Sequence, residues 1–475
     1  MPRSTPRRLA VSALALAAAV AGAAGLPGAA PATADPADAA KPVGKQREVM
    51  WVGNNWAGTA SVVDVDSLEI LRSGVDLIPD KAEELARIRT SPIDLAFYLA
   101  IQAGPGEGHD QYVDDMFTTN DGRYLAVSRP SFADVVWIDI EKATNGEPDS
   151  IVREQQMDGF RTDHMAVSPD GRRLLVSDST SRQVIEYAMG DETLPDGTEV
   201  VMGDRLRTFE SGETPHESNY TVDGERIFHA SIGRVYTPLD GTGNSFLDML
   251  LKPVIDAAKA DRWFQVVRND DFEIEQRWDM AHELAEAGHP NMSSAVRPMA
   301  VAPGGRFLYY QVSFFHGLVE FDTQAPDTNG TTDYALGDQE EPPTGAVTRV
   351  IELEDRVPTM PRELYVNDSA HHGLSIDESG ETLCVAGTMD DYAALVDVST
   401  GEATYYDEQT TGHTYLKPYW TTEGPHDTCW ISLSESDAVA VLDTRTGEEL
   451  AYLPVGDHPQ RVRLGTVPER VVRAW

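Results

Sequence analysis

Cysteine is scarce in this chain, positive charge is low, and no long apolar run follows the N-terminus. Cys384 and Cys429 are its two cysteines, so at most one disulfide can form within it. Lys and Arg number 38 against 78 Asp and Glu. Such an excess of acid excludes nucleic acid or anionic lipid as a partner for the surface as a whole. Beyond residue 26 no segment approaches the length of a membrane span. There is no G-x-S-x-G, no C-x-x-C-H and no phosphate-cradling glycine loop. Their absence argues against a serine hydrolase, a covalently attached haem and nucleotide chemistry.

The one apolar run is N-terminal. Arg3, Arg7 and Arg8 precede the Ala-rich stretch Leu9–Leu26, and Ala32-Thr33-Ala34 suits a cleavage site. The stretch reads as a signal peptide over residues 1–34 rather than a span, because no charged stop-transfer flank follows. Arg7-Arg8 lacks the usual twin-arginine sequel, so ordinary secretion is expected. Cleavage removes three Arg and no acid, giving 35 − 78 = −43. Residues 35–46 read as a flexible linker, residues 47–466 as one β domain and residues 467–475 as a tail. An extracellular, soluble monomer is expected.

What the chain has in abundance is a repeating β grammar. From Cys429 to Leu464 a short apolar strand, a polar turn, Ala438–Leu442 ending in Asp443, the turn at Thr446-Gly447 and a further strand follow one another. Six segments carry an inner strand, an Asp/Gly turn and a second strand: DMFTTNDGRYLAVS, HMAVSPDGRRLLVS, HESNYTVDGERIFHAS, PMAVAPGGRFLYYQV, HGLSIDESGETLCVAG and KPYWTTEGPHDTCWIS. The turn residues suit two-strand hairpins, and alternation in the strands suits half-buried sheet. His458–Leu464 begins like an inner strand with no second strand after it, and Arg47–Val52 is a second strand with no inner strand before it. Joined, they make a seventh blade, so the expectation is an all-β, seven-bladed propeller closed by its two termini.

Two helical insertions are expected. Asp80–Ala103, around Pro92, should lie on the face bearing the inner-strand starts, and Asn244–Ala260 on the opposite face. A third insertion, Gln324–Thr344, reads as loop. Cys384 and Cys429 fall at the same position of successive second strands. Secretion permits a disulfide between them, but equivalent strands of adjacent blades can lie too far apart for one, which would leave two buried thiols.

The pattern TCWISLSESDAVAVLDTRTGEELAYLPVGDHP resembles the YVTN-type repeat of secreted bacterial YncE-like seven-bladed propellers. SPDGRRLLVS and the VDVDS, VDVST and LDTRTGE boxes are similar to the same repeat. The resemblance covers most of residues 47–466 and is weakest in the fourth and fifth repeats. It implies the fold. Related propellers include lactonases and domains that carry haem or copper, so it does not imply one activity.

Inner-strand starts line a propeller's channel mouth. Here they offer Asp115, His164, His216, Arg297, His372 and Lys417, with Gln460 or His458 at closure; His371, His413 and His109 lie in nearby loops. Loops on the same face add Asn54, Asn55, Trp56, Arg129, Asp178, His229, Phe314, Phe315, His316 and Asp390. Convergent ionisable groups in a concavity mark a ligand site, although channel rims are wet and carry such groups without one. Three chemistries fit. His164, His216 and His372 suit a transition metal such as Cu, Zn or Mn, with Asp115 as a fourth ligand. Arg297 and Lys417 suit an anionic sugar or carboxylate with a His as base, which is lyase or lactonase chemistry. The third is plain binding of a small molecule, a sugar or a cell-envelope protein, and this is the expected function. A propeller enzyme on the same rim, metal-dependent or a lyase or lactonase, is the alternative.

Weaker signals are His282, Glu286 and His289, which share a helix face but read better as a solvated connector, and Asp327, Asn329 and Asp333, whose Gly is misplaced for an EF-hand. The sequons at Asn219, Asn291, Asn329 and Asn367 read as chance.

Overall fold

The computed structural model describes residues 44–234, 260–327 except 291 and 294, and 344–475, together with 247, 251 and 254. Seven four-stranded antiparallel sheets form the ring. Blade 1 is the closure: its inner strand is Pro459–Pro468, followed outward by Gln46–Asn54, Thr59–Asp64 and Ile70–Asp76. Gln46 pairs with Pro468 and Val52 with Val462 across this seam. Blades 2 to 7 begin with the inner strands Met116–Thr118, Thr162–Val167, Pro215–Tyr220, Val296–Val301, Leu374–Ile376 and Pro418–Gly424. The closing strand runs two residues past the sequence boundary of 466, and Glu469–Val472 of the tail is helical.

The turn grammar has a direct cause. At the end of a third strand, Asp443 Oδ1 accepts the N–H groups of Arg445 and Thr446, and Asp64 and Asp397 act alike in their blades. The side chain thus stands in for a backbone turn. Between first and second strands, Asp170 accepts from Ser168 Oγ–H and Arg172 N–H. Gly171 follows with φ +70°, and a Cβ there would also strike Asn120, so a side chain is excluded twice over.

Alternation proves narrower than the sequence suggests. Second strands such as Tyr124–Arg129 and Arg173–Asp178 are buried along nearly their whole length. Each is covered on both faces by neighbouring blades, so apolar residues run consecutively. The outermost strand Ile151–Gln156, open to water on one face, alternates strictly. The core therefore lies between blades: Trp51, Val62, Leu125, Val127 and Val136 join blades 1 and 2 in one cluster.

The first insertion forms two helices, α1 (Lys81–Thr90) and α2 (Pro92–Ala103). Pro92 ends one and starts the other, sitting at the first helical position behind the Ser91 cap, where its missing N–H costs nothing. The second insertion, expected on the opposite face, lies almost wholly outside the described residues. Its flanking strands nevertheless correct that placement. Arg226–Ser231 and Trp263–Arg268 are the second and third strands of blade 4, so the connection leaves from the face of the inner-strand starts. The signal segment and most of the third insertion, with Asn329 and Asp333, also fall outside the described residues, as does Asn291. Among the described residues no helix is long and apolar enough to cross a membrane.

Cys384 and Cys429 are bonded, with Cα atoms 6.5 Å apart. Equivalent second strands of blades 6 and 7 pack face to face close enough for the bond, which corrects the reading as two thiols.

Candidate functional site

Inner strands turn one edge of each blade toward the axis, and seven edges leave room for few side chains. Polar groups from different blades are thereby forced into contact. His164 of blade 3, His216 of blade 4 and His372 at the entry to blade 6 each offer a ring nitrogen, all within 4.8 Å of one another. The rings of His164 and His216 are 4.0 Å apart, and each lies 6.1 Å from His372. All three are buried, and their Nδ1 atoms have no hydrogen-bond partner among the described residues. Burial holds all three well below the usual imidazole range. The Arg461 guanidinium adds to this for His164 and His372, and Arg297 for His216. Neutral rings with lone pairs are the form that ligates.

A cavity of about 30 Å³ opens beside the three rings. Its walls carry three guanidinium groups, Arg161, Arg297 and Arg461, against two carboxylates, Asp114 and Asp163. In a chain of net charge −40 this wall is positive on balance. Arg461 donates from Nη2 to His164 Nε2 at 2.6 Å and pairs with Asp114 at 3.2 Å. Its guanidinium lies 4.0 Å over the Trp420 ring. Burial pushes Asp114 up to about 6, against the pull of Arg461. Arg297 donates to Ser313 Oγ at 2.8 Å and to the Asn367 carbonyl.

Other residues expected at the site lie elsewhere. Asp115 is a latch: it takes two bonds from Arg463, at 2.7 and 2.8 Å, and one from Met165 N–H at 3.1 Å. Burial pushes its carboxyl up, but Arg463 outweighs that and holds it below the usual range, and it is absent from the cavity wall. Arg129 is fully buried and locked to Asp134 and Asp80. His229 sits between Ser211 Oγ and Ser218 Oγ at 2.7 and 2.9 Å. Lys417 is spent on Glu107 and Glu435, at 2.7 and 2.8 Å. Glu107 belongs to the loop after α2, so this bridge carries that loop over to blade 7. There His109 stacks on Trp56 at 3.8 Å, and Trp56 stacks on His458 at 3.6 Å.

His316 belongs to a second cluster. Its Nδ1 and the His371 Nε2 both meet Asp390 Oδ2, at 2.6 and 2.9 Å. Tyr365 and Tyr392 hydroxyls complete the network. Burial opposes ionisation of Asp390, but the two imidazoles prevail and hold it at about 2. His282 and Glu286 share the helix Met280–Glu286, whose Glu286 carboxylate accepts from Thr344 and Gly345 N–H; this is a connector.

Arg461, Asp114 and Asp163 were not singled out from sequence. Arg461 is the third residue of its strand Pro459–Pro468, as His164 is of Thr162–Val167. Aligning HPQRVRL to that strand by its third position would have found it.

The class is therefore a seven-bladed β-propeller. No protein-family model matches the chain, and no curated protein does. Among solved structures it is similar to the periplasmic gluconolactonase PpgL of Pseudomonas aeruginosa, with TM-score 0.50, 14% identity, and 89% of this chain and 99% of that one covered. It is also similar to hydrazine synthase of Kuenenia stuttgartiensis, with TM-score 0.47, 13% identity and coverage of 76% and 96%. The β-propeller domain of Cps50 (Swd1) from Myceliophteria thermophila gives TM-score 0.46, 12% identity and coverage of 73% and 88%. At these identities the likeness is one of fold.

Proposed function

We propose that this is a secreted, YncE-like propeller that binds a small ligand at the mouth of its channel, and that the ligand site is built on a transition-metal ion held by His164, His216 and His372. One observation carries the reading: three buried, neutral imidazoles from three separate blades bring ligating atoms within 4.8 Å. Metal–nitrogen bonds of about 2.0–2.1 Å need ligand atoms closer than that, a contraction of the order of 1 Å. Imidazole suits Cu or Zn. His164 has one lone pair on Nε2, now shared with Arg461; a metal taking it would release the guanidinium.

Size counts against a whole sugar in this cavity. A cavity of about 30 Å³ holds an ion and a water or two, whereas pockets for larger organic ligands run to about 300 Å³ and more. The gluconolactonase among the structural neighbours favours a second reading, hydrolysis of a lactone at the same rim. That reading requires a cavity wider than the one beside the imidazoles.

Elemental mass spectrometry of the dialysed, untagged protein tests the proposal. About one equivalent of Cu, Zn or Mn is expected, lost in His164→Ala and His372→Ala while their circular dichroism stays native. Metal-free wild-type protein that also fails to take up added Cu or Zn would refute it.

A further inference from the structure

A second set of ligating atoms converges where blades 5 and 6 meet. His316 lies in the blade 5 loop between Phe307–Val312 and Gly317–Asp322. Asp390 lies in the matching loop of blade 6, between Thr382–Gly387 and Tyr392–Asp397, and His371 stands just before the inner strand Leu374–Ile376. Asp390 Oδ2 is 2.6 Å from His316 Nδ1 and 2.9 Å from His371 Nε2. Ligating atoms of all three residues fall within 4.8 Å of one another. Around one metal ion, bonds of about 2.0–2.2 Å at octahedral to tetrahedral angles hold neighbouring ligand atoms about 2.8–3.6 Å apart. Both oxygen–nitrogen edges are already that short. None of the three residues lines the cavity in the channel.

From this geometry we infer that His316, His371 and Asp390 bind a divalent first-row metal ion that staples blade 5 to blade 6. This ion is additional to the one proposed for the channel and does not depend on it. Two imidazoles and a carboxylate form a mixed nitrogen and oxygen set that Zn and ferrous iron take. The surroundings suit a ligand shell. Asp390 Oδ1 accepts the Arg356 N–H at 2.8 Å, which turns Oδ2 toward the rings. On its far side His316 Nε2 faces the Tyr365 hydroxyl at 3.0 Å and Asp355 Oδ1 at 3.6 Å. A proton held there leaves the Nδ1 lone pair for a metal, the arrangement in which a carboxylate orients a ligating imidazole. That lone pair then faces the Asp390 carboxylate, and a cation between two acceptors relieves the contact. Asp390 and Asp355 also bring two negative charges to a dication, while the Arg356 guanidinium is engaged by Glu354 and Asp407. His371 is the weakest of the three ligands. Ligation through Nε2 puts its proton on Nδ1, which is buried without a partner among the described residues. Without an ion, the competing arrangement is a proton on His316 Nδ1 donated to Asp390.

Zn loading of full-length His164→Ala, in which the channel site is disabled, tests it by elemental mass spectrometry after gel filtration. About one equivalent of Zn is expected, with a rise in Tm on loading. Both should vanish in His164→Ala/Asp390→Asn. Should that variant lose its native circular dichroism, His316→Gln takes the place of Asp390→Asn. No Zn in folded His164→Ala, or Zn unchanged in a folded variant lacking Asp390 or His316, overturns the inference and leaves a metal-free hydrogen-bonded link between blades. The two metal proposals separate in the single variants of the wild-type chain. Metal lost only in His164→Ala would sink this site and leave the channel site standing. Metal lost only in Asp390→Asn would do the reverse.

Discussion

A histidine near a channel can be a ligand or a core residue, and hydrogen bonding tells the two apart. Both nitrogens of His229 meet serine hydroxyls, so the ring is satisfied and structural. Burial pulls its pKa down to about 3 from an ordinary 6.5. A histidine whose folded pKa is depressed adds stability that is complete above 6.5 and is lost as pH falls toward 3. The slope is about 1.4 kcal/mol per pH unit for this one ring. Denaturant melts of wild type and His229→Gln at pH 7, 6 and 5 should therefore converge as pH falls. Parallel slopes would show that the ring titrates normally. His164, His216 and His372 share the burial but have unmet Nδ1 atoms, as His371 and His458 also do, and it is their approach to within 4.8 Å of one another that makes them the ligand candidates. Hydrogen bonding likewise divides Arg129 from Arg461. Arg129 is saturated by two carboxylates, whereas Arg461 retains unmet donors.

Among elements, the second strands of blades 6 and 7 are tied by the Cys384–Cys429 bond, which closes a separation of 45 residues. Loop-closure entropy puts its stabilising effect at about 4 kcal/mol. Cys384→Ser/Cys429→Ser is expected to unfold at lower denaturant by up to that amount, measured against oxidised wild type; an unchanged midpoint would rule the contribution out. The existence of these strands was legible because Asp and Gly recur at fixed offsets, each with a local hydrogen-bonding duty. Their burial on both faces was less so. Runs such as LLVS read alike whether one face is covered or two, and only the neighbouring blade decides. The second insertion was expected to follow a third strand, whereas the third strand of blade 4, Trp263–Arg268, comes after it, a count that local pattern does not settle.

For the whole molecule, closure joins stability to the site. The strand Pro459–Pro468 completes blade 1 and also brings Arg461 and Arg463 to the axis. Deleting residues 459–475 would leave the edge of Gln46–Asn54 unpaired, an invitation to intermolecular pairing. Size-exclusion chromatography with light scattering should then show aggregates. A folded monomer of wild-type melting temperature would mean that the ring does not depend on the seam.

The sequence alone determined the propeller, its seven blades and the closure by the termini, because those follow from turn chemistry and strand spacing that are local. It also placed His164, His216 and His372 on one rim, since inner-strand starts share a face. Which members of that rim meet was decided only by the tertiary structure. Side chains around a channel interact across blades some hundreds of residues apart, as Arg461 and His164 do, and no local pattern carries that distance. The same packing took Arg129, His229 and Lys417 out of the site by giving each a nearer partner.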